Sequence, residues 1–270
     1  MNPPGKFYRL LLTGAAGGLG QVLRERLKPL ATALRVSDIA ELGPAREGEE
    51  VVRCDLGNKA AVHALLDGVD AVAHFGGISV EGPFDPILNA NIVGVYNLYE
   101  AARKHGVSRV VFASSNHVTG FYRQDQRIDA DDPVRPDSLY GVSKCFGESL
   151  SRFYFDRHGI ETVCLRIGSS FPEARDRRML RTWLSYDDLV QLVTRSLLAP
   201  DVGHTIVFGA SRNSGVWWDN RKAAHLAFDP QDSADSQRAR VEAAGPPLDQ
   251  ADPVARYQGG TFVTAGPYDD

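Results

Sequence analysis

Thr13-Gly14-Ala15-Ala16-Gly17-Gly18-Leu19-Gly20 follows directly on the apolar run Tyr8-Arg9-Leu10-Leu11-Leu12-Thr13 and leads into helical spacing over residues 19–30. A run without polar alternation suits a strand covered on both faces. Glycines at 14, 17 and 20 then allow a turn tight enough for backbone N–H groups and the helix N-terminus to face one point. A pyrophosphate fits that point, because no side chain intervenes and the helix dipole favours negative charge. The spacing is G-x-x-G-x-x-G, one residue different from the dinucleotide fingerprint G-x-G-x-x-G. Glycines alone are a weak signal; the strand before them and the helix after them carry the reading. Gly14, Gly17, Gly18, Leu19 and Gly20 are thus candidate dinucleotide-binding residues.

Outward from this turn, strands and helices keep alternating. Further strands are expected over residues 33–37, 50–54, 69–75, 109–113 and 161–166. Helices are expected over residues 59–66, 84–105 and 138–158, with a polar loop at 116–137. Such alternation calls for an α/β, doubly wound parallel sheet, the Rossmann fold. Beyond Gly168 the pattern loosens. Ser185-Tyr186-Asp187-Asp188 has the form of a capping box before a helix through Leu198. A last strand follows at 205–208, and then short helices and an extended tail. Residues 1–168 are therefore expected to form the NAD-binding domain. Residues 169–270 form a smaller substrate-binding region and tail, packed on it as one globular unit.

A net charge of −4 argues against general binding to nucleic acid or to an anionic membrane. No uncharged apolar run is long enough to cross a bilayer, and the polar lead-in at residues 1–9 lacks the features of a secretory signal. Cys54, Cys145 and Cys164 are odd in number and far apart, which suits reduced thiols in a cytoplasmic protein better than disulfides or zinc. The scattered histidines form no metal-ligand pattern.

Asp38, at the end of the second strand, suits the ribose hydroxyls of the adenosine and repels a 2′-phosphate, which favours NAD over NADP. Asp55 and Leu56, after the third strand, either receive the adenine or begin the next helix. Tyr140 and Lys144 in Tyr140-Gly141-Val142-Ser143-Lys144 share one face of the helix predicted over 138–158. A tyrosine is a poor base at its ordinary pKa near ~10. A neighbouring ammonium, together with the positive nicotinamide of NAD⁺, is expected to lower that value so that Tyr140 takes a hydroxyl proton while hydride leaves the same carbon. Ser114 and Ser115 lie at the end of the fifth strand, where doubly wound sheets place their ligands.

This set resembles the short-chain dehydrogenase/reductase superfamily in its extended, sugar-modifying branch. The resemblance rests on residues 13–20, His74-Phe75-Gly76-Gly77, Asn91, Phe112-Ala113-Ser114-Ser115 and residues 140–144, in that order. It implies Ser115 rather than Ser114 as the catalytic serine beside Tyr140 and Lys144. It also implies Phe75, Gly76 and Gly77 near the cofactor and Asn91 as a structural, cofactor-side residue of the long helix.

More narrowly, the chain resembles the bacterial uronate dehydrogenase family. Gly76-Gly77-Ile78-Ser79-Val80-Glu81, residues 114–122, 140–148 and 166–172, and Trp217-Trp218-Asp219-Asn220 carry this likeness. After Asp229 it is loose. The family oxidises the anomeric carbon of D-galacturonate or D-glucuronate to the aldarolactone with NAD. By resemblance Arg178 binds the sugar carboxylate, Ser79, Asn116 and His117 line the sugar pocket, and Ser169 sits near the nicotinamide. On the residues alone, Arg175, Arg177, Arg178 and Arg181 are equally readable as a solvated run paired with Glu173 and Asp176. Family members associate through helices near 84–105 and 139–157, implying a homo-oligomer. Trp217 and Trp218 read as packing or subunit-interface residues rather than stacking platforms. Two alternatives differ in function: a nucleotide-sugar epimerase or dehydratase of the same branch, and a non-catalytic NAD-sensing protein. The first usually carries a larger C-terminal part; the second has no need of Ser115, Tyr140 and Lys144 together.

Overall fold

The computed structural model describes residues 7–247 and 249–268; residues 1–6 of the polar lead-in lie outside the described residues. Seven strands form one sheet: β1 (Phe7–Thr13), β2 (Ala31–Asp38), β3 (Glu49–Arg53), β4 (Ala71–His74), β5 (Arg109–Ser115), β6 (Glu161–Ile167) and β7 (His204–Gly209). All pair in parallel, in the order β3-β2-β1-β4-β5-β6-β7. The chain winds outward from β1 to β3, then returns to β4 on the other side of β1. That reversal opens a crevice above the carboxyl ends of β1 and β4.

The helices are α1 (Gly18–Arg26), α2 (Lys59–Leu65), α3 (Phe84–Ile87), α4 (Gly94–His105), α5 (Leu139–His158), α6 (Met179–Thr182), α7 (Tyr186–Leu198), α8 (Arg238–Ala243) and α9 (Pro253–Arg256). Because β1 is pleated, its three leucines divide between two cores. Leu10 and Leu12 join Leu23, Leu27, Leu189 and Leu192 on the face covered by α1 and α7. Leu11 joins Val62, Leu65, Leu98, Tyr99 and Tyr154 beneath α2, α4 and α5.

Three departures from the sequence pattern bear on the site. β5 runs on through Ser114 and Ser115, which pair with Arg166 and Ile167 of β6. The expected long helix is α3 and α4 joined by a π-helical turn, Leu88–Val93, which carries Asn91. Ser185 does cap α7, accepting from the Asp188 N–H at 3.0 Å, but the reciprocal half of the box is missing. Asp188 instead accepts from Ser211 Oγ at 2.6 Å and from the N–H groups of Gln231 and Asp232. Those tertiary donors outcompete the local one, and they tether the tail.

The C-terminal part is packed rather than trailing. Trp217 and Trp218 are buried with Phe208 and Tyr122, and the Trp218 indole N–H donates to Gln258 Oε1 at 3.0 Å. Cys54, Cys145 and Cys164 are all free thiols. Among the described residues no helix is long and apolar enough to cross a membrane.

His74 ends β4, fully buried, with Nδ1 2.7 Å from Thr13 Oγ1 and its ring stacked on Phe112. Thr13 Oγ1 also accepts from the Gly76 N–H, so one hydroxyl ties the ring to the turn after β4. Burial, and secondarily the Lys144 charge, lower its pKa to about 3. In the unfolded chain the ring protonates at its ordinary value near ~6.5. Between those two values only the unfolded state takes up the proton, so stability falls as pH drops from 6.5 toward 3. Thermal unfolding compared at pH 7 and 4.5 should therefore show a smaller loss in His74→Gln than in wild type. An equal loss in both would remove His74 as a source of acid sensitivity.

Candidate active site

A cavity of about 1640 Å³ lies over the carboxyl ends of the strands, and every sequence-predicted site residue except Asn91 lines it. At its deep end, Gly14 adopts φ +73°, and a side chain there would overlap the Phe75 carbonyl. A side chain at Gly20 would overlap the Gly14 carbonyl, so the turn tolerates only glycine at both positions. At Gly18, by contrast, a Cβ would meet nothing within 4 Å. The N-cap of α1, Gly17, has no side-chain cap, which leaves the first-turn N–H groups turned toward the cleft. Backbone donors, an open glycine face and a helix N-terminus together fit a dinucleotide.

Asp38 is fixed by two backbone donors, Ala16 N at 3.0 Å to Oδ2 and Ala40 N at 3.0 Å to Oδ1. Arg35, on the opposite face of β2, is spent on Glu50 and on the carbonyls of Leu65 and Asp67. No guanidinium from it offsets the negative charge of Asp38. Asp55 does not cap the next helix; Asn58 does, accepting from Ala61 N at 3.1 Å. The Asp55 carboxylate bonds Gly57 N at 2.8 Å and stays on the cavity wall beside Leu56. Asn91 sits one layer back. Its amide accepts from Ile78 N at 2.8 Å and donates to Ile78 O and Ser143 Oγ, clamping the loop after β4 onto α5.

Tyr140 and Lys144 project from the first turns of α5. Ser138 caps this helix through the Gly141 N–H at 2.9 Å. Glu81 adds a second cap, its two oxygens accepting from Leu139 N at 3.1 Å and Tyr140 N at 2.8 Å. Its negative charge at a helix N-terminus is favourable, and it anchors the Ser79 loop to the helix bearing Tyr140. Because alternate residues of β5 face opposite ways, Ser114 and Ser115 part company. Ser114 Oγ donates to buried Glu148 at 2.6 Å, within the Glu148–Arg166 ion pair. Ser115 lines the cavity with Tyr140 and favours its ionised form.

Within the chain alone the Tyr140 pKa moves up; the lowering expected from Lys144 includes the positive nicotinamide of NAD⁺. Burial raises the phenol to about 12, only partly offset by Ser115. Lys144 Nζ donates to the Ala113 carbonyl at 2.8 Å and lies 5.6 Å from the centre of the phenol ring. Burial also lowers the Lys144 pKa to about 8. Loss of water costs a phenolate more than this one amine returns at that distance.

Of the four arginines, Arg178 alone bonds Ser169 and Asn116. Arg175 stacks on Phe171, Arg177 binds the carbonyls of Glu242 and Gly245, and Arg181 binds the Gly215 carbonyl. None of the four pairs with Glu173, which meets Arg240; Asp176 instead caps the Met179 N–H. Arg178 Nε donates to the Gln258 carbonyl at 2.6 Å and Nη1 to Ser169 Oγ at 3.1 Å. The Asn116 amide satisfies both its neighbours in one orientation, with its oxygen 2.7 Å from Arg178 Nη2 and its nitrogen 3.0 Å from the Ile167 carbonyl. Three N–H groups of Arg178 are thus spent on positioning, which leaves the remainder of the fork for an anion. Asn116, Ser169 and Gln258 therefore brace the guanidinium.

Four neighbours escaped the sequence reading. Besides Glu81, these are Asp137, whose Oδ2 lies 2.7 Å from His117 Nδ1; Gln258; and Phe262, stacked on His117 with ring centres 3.6 Å apart. Gln258 and Phe262 come from the tail, where the sequence patterns carry least. A lone aromatic or glutamine in a region of low periodicity emits no local signal. Asp137 had one, as the residue just before a capping serine.

The family model described as the NAD dependent epimerase/dehydratase family matches residues 10–185. The chain is 64% identical over 263 residues to the uronate dehydrogenase of Pseudomonas putida, covering 97% of this chain and 98% of that one. It superimposes on the crystal structure of uronate dehydrogenase from Agrobacterium tumefaciens with a TM-score of 0.95, at 52% identity, covering 98% and 99% of the two chains. A mutant of that enzyme complexed with NAD gives a TM-score of 0.94 at 52% identity, covering 96% and 98%.

Proposed function

Since the chain belongs to the NAD dependent epimerase/dehydratase family, we infer from its relatives and its site that it is an NAD-dependent uronate dehydrogenase. Its substrate is a sugar acid, D-galacturonate or D-glucuronate, oxidised at the anomeric carbon to the aldarolactone. The observation that carries this is a braced arginine with unspent donors in the same cleft as a tyrosine, a serine and a lysine. A carboxylate held at Arg178 marks out an acid sugar from a neutral one.

When bound, NAD⁺ would supply the hydride acceptor and a positive ring charge that favours the phenolate. Tyr140 receives the proton of the anomeric hydroxyl, which balances the lost hydride and leaves the lactone carbonyl. Ser115 hydrogen-bonds the reacting oxygen and favours its developing charge. Lys144 retains donors beyond the one spent on Ala113, and these hold the nicotinamide ribose. Burial raises the Tyr140 pKa in the chain itself, and a cationic cofactor ring beside the phenol would favour the phenolate. Asp38 takes the adenosine ribose hydroxyls, and the uncapped start of α1 takes the pyrophosphate.

We place the reaction in the cytoplasm, in keeping with three unpaired thiols. Val93, Tyr96, Val142 and Phe153 are exposed along the outer faces of the 84–105 and α5 helices, which supports a homo-oligomer joined there. Mixing the protein with NAD⁺ and either uronate should produce the absorbance of NADH, with NADP⁺ a poor substitute. Silence with both uronates would remove the substrate assignment.

A further inference from the structure

Asp137 takes no part in the reaction as described, yet the fold is shaped around it. Its side chain is fully buried. Oδ2 meets His117 Nδ1 at 2.7 Å, Oδ1 accepts from Ser138 Oγ at 2.8 Å, and its own N–H donates to the His117 carbonyl at 3.3 Å. A methyl group at Gly120 or at Gly259 would overlap the carboxylate, so two separate loops leave room for it. Phe262 stacks on the imidazole and Tyr140 meets it edge-on, ring centres 5.8 Å apart. With Nδ1 tied inward and the ring face covered, Nε2 is the atom His117 has left for the cleft it lines.

We propose that Asp137 is a positioning residue that keeps the His117 proton on Nδ1, so that Nε2 presents a lone pair to a non-reacting hydroxyl of the sugar. This rests on the uronate reading and deepens it. The sugar end of the cleft is rich in donors: the Arg178 fork, the Ser115 hydroxyl and the Lys144 ammonium. A hydroxyl whose oxygen accepts from such groups still has a hydrogen to place, and it needs an acceptor. A neutral imidazole with a carboxylate behind it supplies one. Burial depresses the basicity of His117, and so does the Arg178 charge, while Asp137 and Glu81 pull the other way; the ring is neutral at pH 7.

Asp137→Asn reverses the arrangement with little change in volume. Ser138 Oγ accepts from the Gly141 N–H and donates its single hydrogen to Asp137 Oδ1; keeping that donation turns the amide oxygen toward Ser138. The amide nitrogen then faces His117 Nδ1, which must become the acceptor, and the proton moves to Nε2.

The test uses the full chain with ¹⁵N-labelled histidine, assigned with His117→Gln. Wild type should show a protonated Nδ1 and a bare Nε2 on His117, and Asp137→Asn the reverse. In the variant, KM for the uronate should rise about ten- to a hundredfold, the cost of an unmatched buried polar group, with kcat changed far less. A wild-type ring with its proton on Nε2 overturns the proposal even if the variant does not fold. So does a reversed ring with unchanged KM, or a loss confined to kcat. A wild type inert toward both uronates counts instead against the substrate assignment, because the ring's tautomer is read without any substrate.

Discussion

Tyr140→Phe should lower uronate turnover by roughly a hundred- to ten-thousandfold, the range general acid–base catalysis supplies, while leaving NAD binding and the melting temperature nearly unchanged. The substitution removes one oxygen and keeps the ring. The ring's packing against His117 and Phe262, and the caps that Glu81 and Ser138 place on α5, depend on no phenol oxygen. What disappears is the oxygen proposed to take the hydroxyl proton. Steady-state kcat, with a cofactor titration followed by fluorescence, separates the two effects. A variant turning over at a near-normal rate would take Tyr140 out of the base role. The raised pKa adds a direction for wild type: the active form is the deprotonated one, so the rate should fall as pH is lowered.

Arg178→Ala should reduce kcat/KM for uronates by about thirty- to several-thousandfold, because truncating one partner of a desolvated charge pair costs about 2–5 kcal/mol. The ratio of losses between substrates is the informative quantity. A neutral sugar with the same ring, oxidised weakly by wild type, makes no ion pair with Arg178 and should lose far less. Equal losses on both would mean that Arg178 shapes the cleft without reading charge. Arg178→Lys should fall between the two, since an ammonium keeps the charge but cannot reach Gln258, Ser169 and Asn116 while also gripping a carboxylate from two sides. Alanine also removes the anchor of the tail at the Gln258 carbonyl, so a modest drop in melting temperature belongs to the expected result.

Much of this chemistry was legible one element at a time. The glycine turn showed because strand, turn and helix each impose a local pattern on consecutive residues. Tyr140 and Lys144 showed because a helix repeats every three to four residues. By contrast, β5 outran its apolar core. Ser114 and Ser115 are polar and fall just past the predicted strand 109–113, but pairing with β6 extends the strand through both and turns them to opposite sides. The capping box at Ser185 was half met for a similar reason: Asp188 found donors 23 to 44 residues away that no window around it contains.

The amino-acid order by itself determined the alternating α/β plan, the dinucleotide turn, the acidic residue that ends β2 and the tyrosine–lysine pair. All of these arise from neighbours along the chain, whose spacing is set by backbone geometry. Only the folded molecule decided which of four arginines Asn116, Ser169 and Gln258 brace, that Asp137 stands behind His117, that the tail supplies Gln258 and Phe262, and that burial raises the Tyr140 pKa. Each of those depends on burial or on partners distant in sequence, and water is excluded only once the tertiary contacts close.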